Sequence, residues 1–377
     1  MKLKVALVGL GRDWQSRYLP AFRLLQDRMQ VVAVYSAVRT LADSAARDLQ
    51  ATSHTGFREM IGSESVDAVF LLESEWYQTA PLSAACHFGK AVFIGSEFEL
   101  TETQIEQVRQ QIDASGIAAM AELPRRFAPA TLRLKELIAT RLGQPQLLFC
   151  HRRLPRESDG GARQAKPLEK RATRELLELI DWCRFIVDHP VDWVQSVQHL
   201  QQNDRVSADD PVFDYQVLSL GFGNRVPAYP NTLAQISCGA YMPGSWHEAI
   251  AYRPPAAIQV GCERGLAFVD LPNTLVWFDE LGRHQETLDT DLSVGQSLLT
   301  RFHRCVTSLV RSNQSLDDLA TAARILRLAS ESHQAGRRLA IHNLSSPSEP
   351  HTETPPEGAG FHQNGSDNLK DEKNNLG

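Results

Sequence analysis

Lys4-Val5-Ala6-Leu7-Val8-Gly9-Leu10-Gly11 is an apolar run that stops on two glycines flanking one residue, and its reading decides the fold. A parallel strand buried on both faces appears as a continuous Val/Leu/Ala run, and glycines at its carboxyl end let the backbone turn tightly and approach a diphosphate. The amphipathic segment Tyr18-Leu19-Pro20-Ala21-Phe22-Arg23-Leu24-Leu25 follows, as the helix after a dinucleotide-binding turn would. Further apolar runs lie at Val31 to Tyr35, Ala68 to Leu72, Ala91 to Ile94 and Ile117 to Ala121, far enough apart for crossover helices between them. The alternation predicts an α/β domain over residues 1–123, built on a doubly wound parallel sheet. Such sheets bind ligands outside the carboxyl ends of their strands. Gly9 to Trp14, Ser36, Leu72 to Thr79 and Gly95 to Glu97 are therefore expected to line one crevice.

Pro124-Arg125-Arg126-Phe127-Ala128-Pro129 breaks the alternation, and the pattern beyond it is different. Gln146 to Arg152, Trp193 to His199, Gln216 to Phe222, Leu233 to Tyr241, Ile258 to Cys262 and Leu266 to Leu271 read as strands of a large, mostly antiparallel open sheet. One face of that sheet needs cover, and Thr173 to Val187 is the best covering helix. A second, α+β domain over 124–342 follows, closed by helical stretches at Leu298 to Leu309 and Leu316 to Leu339. Residues 343–377 carry almost no large apolar side chains and are expected to be a disordered tail.

At 377 residues the chain exceeds the size at which one core stops growing, in keeping with two domains. Its net charge is −6 and its basic residues are scattered, which excludes the basic stripe of a nucleic-acid-binding protein. The six cysteines lie far apart, without the spacing of a zinc or redox motif, and read as small core residues of a reducing compartment. No apolar run approaches the roughly 20 residues that span a bilayer, and the first strand begins almost at Met1, without room for a signal peptide. The expected setting is the cytoplasm and the expected partner a small molecule.

Two details bear on the nucleotide. After the second strand, where an acidic side chain would accept hydrogen bonds from the ribose of NAD, the chain has Ser36 with Arg39 behind it. A hydroxyl and a guanidinium suit a 2′-phosphate, so NADP is favoured over NAD. Conversely, Trp14 stands where a third small residue would let helix and strand pack closely, so the turn must be wider or the helix must begin near Ser16. The candidate cofactor contacts are Gly9, Gly11, Arg12, Ser36, Arg39 and Glu97.

Several segments carry a family pattern in their order and spacing. They are Val5 to Gly11 with Tyr18-Leu19-Pro20-Ala21, Val66-Asp67-Ala68-Val69, Gly89-Lys90-Ala91-Val92 with Leu100-Thr101, Arg125-Arg126-Phe127 with Pro129, Gly143-Gln144-Pro145, Ile180-Asp181 and Gly265-Leu266. In these the chain, from about Lys2 to Ile341, resembles the Gfo/Idh/MocA oxidoreductase family. The resemblance implies a Rossmann domain followed by a substrate domain, a nicotinamide cofactor, and assembly of copies through the open sheet. It also implies a lysine after the fourth strand, but that place is held by Ser96. The family's Asp-x-x-x-His-x-x-Asp pattern falls on Arg174, Glu178 and Asp181, and its Asn and His after the third strand fall near Glu75 and Gln78.

Ser96 cannot by itself take the proton of an alcohol being oxidised. Glu178 can if burial raises its pKa, but Arg174, one turn earlier, is expected to pair with it and hold it ionised. At about 100° per residue, Leu176, Leu179, Ile180, Cys183 and Val187 form the buried stripe, with Arg174, Glu178, Asp181 and Phe185 opposite. The resemblance turns that second stripe toward the crevice. The candidate catalytic residues are Glu178, Asp181, Arg174 and Ser96. Three activities stay open: an NADP-dependent oxidoreductase with a rebuilt site, a member without turnover that serves as nucleotide-binding sensor or assembly partner, and an enzyme in which a bound nicotinamide assists a non-redox reaction such as glycoside cleavage.

Overall fold

A computed structural model describes residues 2–156, 168–199, 215–226, 229–243, 245–252, 256–288, 293–308 and 313–341. The tail expected at 343–377 lies outside the described residues.

The apolar runs of the first third form β1 (Leu3–Val8), β2 (Met29–Tyr35), β4 (Ala68–Leu71), β5 (Ala91–Ile94) and β6 (Ala119–Ala121), joined by the two-residue β3 (Thr52–Ser53). All pairs are parallel, in the order β3-β2-β1-β4-β5-β6. The chain reverses its direction of build between β1 and β4, which places the ligand crevice of such a sheet there. β3 escapes a reading based on apolar runs because Thr-Ser offers none. The crossings are α1 (Leu19–Leu24), α2 (Arg39–Leu49), α3 (Phe57–Gly62), α4 (Ala80–His87) and α5 (Glu102–Ser115). α5 is fixed at its start by a reciprocal Thr101/Gln104 capping box and ends at Gly116 in the left-handed region.

Trp14 is accommodated as the wider-turn alternative requires. Residues Trp14–Tyr18 form a single π-helical turn, whose i→i+5 bonds leave a broader backbone loop than an α-helix. The indole, 4% exposed, turns into the core against Phe22, with ring centres 6.3 Å apart.

The second sheet contains β7 (Pro145–Arg156), β8 (Val191–His199), β9 (Tyr215–Val226), β10 (Tyr229–Pro243), β11 (Ile258–Cys262), β12 (Gly265–Asp270), β13 (Thr274–Asp279), β14 (Gly282–Thr287) and β15 (Leu339–Ala340). Its order is β14-β13-β12-β11-β7-β10-β9-β8-β15, and only β7 and β10 run parallel. Helices α6 (Pro129–Leu137), α7 (Leu168–Val187), α8 (His247–Ala251), α9 (Val294–Thr307) and α10 (Gln314–Ala335) complete the described elements. The helix expected to run to Leu339 stops at Ala335. Gly336 adopts φ 62°, and Leu339–Ala340 becomes a strand against β8.

α7 covers one face of the sheet, and its predicted stripe of Leu176, Leu179, Ile180, Cys183 and Val187 is buried with Leu148, Leu218, Leu220 and Ile236. Cys150 of β7 and Cys183 of α7 touch there, Sγ to Sγ 3.5 Å, and all six cysteines are free thiols. The alternate residues Leu147, Phe149, Leu266 and Phe278 remain exposed on the opposite face. α9 leaves the second half of the chain to pack on the first sheet, where Phe302 meets Phe70 edge-on at 5.0 Å. Met1–Ile341 accordingly form one compact unit.

Candidate functional site

Three adjacent strands of the first sheet each deliver a glutamate shortly after their carboxyl ends: Glu73 after β4, Glu97 after β5 and Glu122 after β6. The sequence reading singled out only Glu97. The missed pair had a signal, an acidic residue closely following an apolar strand on the side where the crevice opens.

The glycine turn has the backbone shape its sequence requires. Gly9 and Gly11 lie at φ 72° and 64°, and the Gly9 amide donates to the Tyr35 carbonyl at 2.9 Å. Neither position has space for a side chain, since a Cβ would meet the Glu73 Cβ at 2.8 Å or the Glu97 Oε2 at 2.8 Å. The contacts made by the next amides are unlike those of an open anion cradle. The Gly11 amide donates to Glu73 Oε2 at 3.3 Å and the Arg12 amide to Glu97 Oε2 at 2.8 Å. Glu97 Oε1 accepts from Arg12 Nε at 2.8 Å and from Arg174 Nη1 of α7 at 2.9 Å, so this carboxylate ties the turn to the second domain. Burial pushes the Glu97 pKa up, but the bonds from the Arg12 amide, Arg174 and the Arg12 side chain outweigh it and hold the group below the usual 4.5.

This arrangement does not fit the dinucleotide that the family implies. The turn amides already have charged acceptors, and a diphosphate would place more negative charge beside two carboxylates. Like unit charges about 4 Å apart near a protein surface repel by about 4 kcal/mol. Of the other cofactor candidates, Ser36 is buried, with its hydroxyl accepting from the Val38 amide at 3.2 Å. Arg39 is exposed at the start of α2, its Nε 3.6 Å from Asp43.

A cleft of about 660 Å³ shares Arg174 with this network, and Ser74, Glu75, Gln78, Ser96 and Glu178 also line it. Ser96, which the resemblance set in the place of a lysine, donates its amide to Glu122 Oε2 at 2.7 Å, and Glu122 in turn holds Arg17 at 2.5 Å. The expected Arg174–Glu178 pair is loose, 3.9 Å between Nε and Oε1, because Arg174 reaches to Glu97 instead. The cation on Glu178 is Arg125, whose Nε donates at 3.2 Å while its Nη2 holds Glu175 at 2.5 Å. Burial raises the Glu178 pKa above 4.5 despite Arg125 and Arg174, with Glu175 pushing the same way as burial. The close cation on Glu178 is therefore Arg125 and not the Arg174 that helical spacing suggested.

Asp181 is not brought to the cleft. It is 2% exposed and gripped by Arg126, which donates from Nε to Oδ2 at 2.7 Å and from Nη2 to Oδ1, and which also holds Asp318 at 2.7 Å. Phe185, on the same stripe, lies under the Arg126 guanidinium at 5.2 Å. The polar stripe of α7 thus divides. Arg174 and Glu178 serve the cleft, whereas Asp181 and Phe185 anchor the link between the domains.

Among the described residues no group of His, Cys, Asp and Glu is arranged to hold a metal ion, and no helix is long and apolar enough to cross a membrane. Residues 3–120 match the model of an oxidoreductase family, Gfo/Idh/MocA, with an NAD-binding Rossmann fold. No curated protein matches the chain. Solved structures similar in fold include an NAD binding oxidoreductase from Klebsiella pneumoniae, 16% identical with a TM-score of 0.73 over 91% of this chain and 99% of that one. An aldose-aldose oxidoreductase from Caulobacter crescentus complexed with glycerol is 15% identical, with a TM-score of 0.74 over 90% of this chain and all (100%) of that one. A levoglucosan dehydrogenase in complex with NADH and levoglucosan is also 15% identical, with a TM-score of 0.74 over 91% of this chain and 100% of that one. The first domain thus matches the family model over residues 3–120, and the whole described fold, both sheets included, is that of these neighbours.

Proposed function

We propose that this chain is a non-redox member of its family, a protein that binds a small hydroxyl-bearing molecule in the cleft between α7 and the ends of β4 to β6. The observation that carries the reading is a complementary pair on the cleft wall. Arg174 Nε has no hydrogen-bond partner and faces Glu178 Oε1 across 3.9 Å, so a donor and an acceptor with unmet capacity stand side by side. The Arg174 Nε atom is covered in this structure, so a ligand hydroxyl reaches it by a shift of the Arg174 side chain, then accepts from Nε and donates to Glu178. The lack of hydride transfer is supported by Ser96 in the lysine position and by the carboxylates on the turn amides. Copies of the chain are proposed to assemble through the exposed face of the second sheet, where Leu147, Leu266 and Phe278 lie in register across β7, β11, β12 and β13 with Gly261 between them.

The test has two arms. Nicotinamide fluorescence on mixing with NADH or NADPH is expected to show no turnover across a panel of aldoses and inositols, and oxidation of bound NADPH by any of them would overturn the reading. In thermal unfolding, a member of that panel is expected to stabilise the wild type and to lose its effect in Glu178→Ala. A second reading, an NADP-preferring oxidoreductase, is favoured by the raised pKa of Glu178 beside Ser96 and by Arg39 behind β2. It requires NADPH to bind the wild type and to oxidise in the same assay.

A further inference from the structure

We infer that Glu73 and Glu97 are built-in occupants of the diphosphate cradle, and that these two side chains, rather than loss of the cradle itself, exclude dinucleotides from this chain. The inference rests on the non-redox reading and adds the residues responsible. The backbone of the cradle is intact, since Gly9 and Gly11 keep their left-handed conformations and the Gly9 amide is anchored on β2. The carboxylates sit on it as an anion would. Glu97 takes a main-chain amide on one oxygen and two guanidinium groups on the other, and Glu73 takes the neighbouring amide. This is the donor set, amides plus arginines, that recognises a phosphate. Glu97 is 4% exposed and held from both domains, so it does not leave the amides as a free surface side chain would. Its removal frees the Arg12 amide together with the guanidinium groups of Arg12 and Arg174, while removal of Glu73 frees the Gly11 amide.

The experiment is calorimetric titration of the full chain with NADH and, separately, ADP-ribose, comparing wild type with the Glu73→Ala/Glu97→Ala double variant. The wild type is expected to show no binding at millimolar ligand. The variant is expected to bind both ligands, with affinity improved roughly tenfold or more, because two like charges are removed and four donor groups released. If removing Glu97 unfolds the protein, Glu73→Gln/Glu97→Gln keeps the side-chain size, drops both charges and is expected to gain binding in the same direction. Wild type that binds NADH as well as the variants would overturn the inference. So would folded variants, checked by thermal unfolding, that bind neither ligand. In the second case the inference fails while the non-redox reading stands, whereas NADPH oxidation by the wild type removes that reading.

Discussion

Two parts of one crevice treat their polar groups in opposite ways. At the glycine turn, the amides of Gly11 and Arg12 are bonded to Glu73 and Glu97, and the guanidinium of Arg12 is bonded to Glu97 as well. On the cleft wall, Arg174 Nε has no partner and Glu178, raised in pKa by burial, stands 3.9 Å away. Both parts are built from the same residue types, arginine and glutamate. A donor satisfied within the protein offers a ligand only an exchange of partners, whereas an unsatisfied donor gains a bond. A glycine turn of the right shape is therefore not by itself an open anion site, and the cleft beside it keeps polar groups that a ligand can meet.

The contrast is broken most severely at Arg125, the cation that holds both Glu175 and Glu178 from the inter-domain link. Arg125→Met leaves two buried glutamates facing each other, and the expected loss is ~3–5 kcal/mol in urea unfolding at neutral pH. The deficit should shrink on acidification as Glu178 takes up a proton. A variant as stable as wild type would mean that Arg125 does not support the cleft.

A smaller effect sharpens the cleft side. Burial raises the pKa of Glu178 in the folded protein above its ordinary 4.5, so the folded state holds this proton more tightly than the unfolded chain does. The resulting stabilisation is complete below the ordinary value and is lost as pH rises through the raised one. Glu178→Gln is expected to remove this component. The wild-type unfolding free energy should then fall more steeply than that of the variant as pH rises from the ordinary carboxylate range toward neutrality. Equal slopes would show that Glu178 titrates normally.

The smallest effect is expected at Arg39, which is exposed and only 3.6 Å from Asp43. Arg39→Ala should change stability by less than about 0.5 kcal/mol. In the double variant that opens the turn, it should weaken NADPH more than NADH if Arg39 meets the 2′-phosphate. Equal weakening would remove the case for NADP recognition.

The layout of the first sheet was legible in the chain because buried parallel strands are apolar throughout, and β1, β2, β4 and β5 each announce themselves in this way. β3 was not legible, because an exposed threonine and a half-buried serine become a strand only by pairing with β2. The buried stripe of α7 followed from helical spacing, but the fate of its other stripe did not. The Phe185 ring is explained by Arg126, which approaches from the inter-domain link.

By itself, the sequence determined the strand order's raw material, the glycine turn and the covering helix, because each depends on neighbours a few residues apart. Tertiary structure alone decided what fills the turn. Glu97 meets Arg12 across 85 residues and Arg174 across 77, and Glu73 meets Gly11 across 62. Periodicity carries no information about pairings at such separations. They arise when parallel strands place their carboxyl ends side by side, so that glutamates distant in the chain converge on the same few amides.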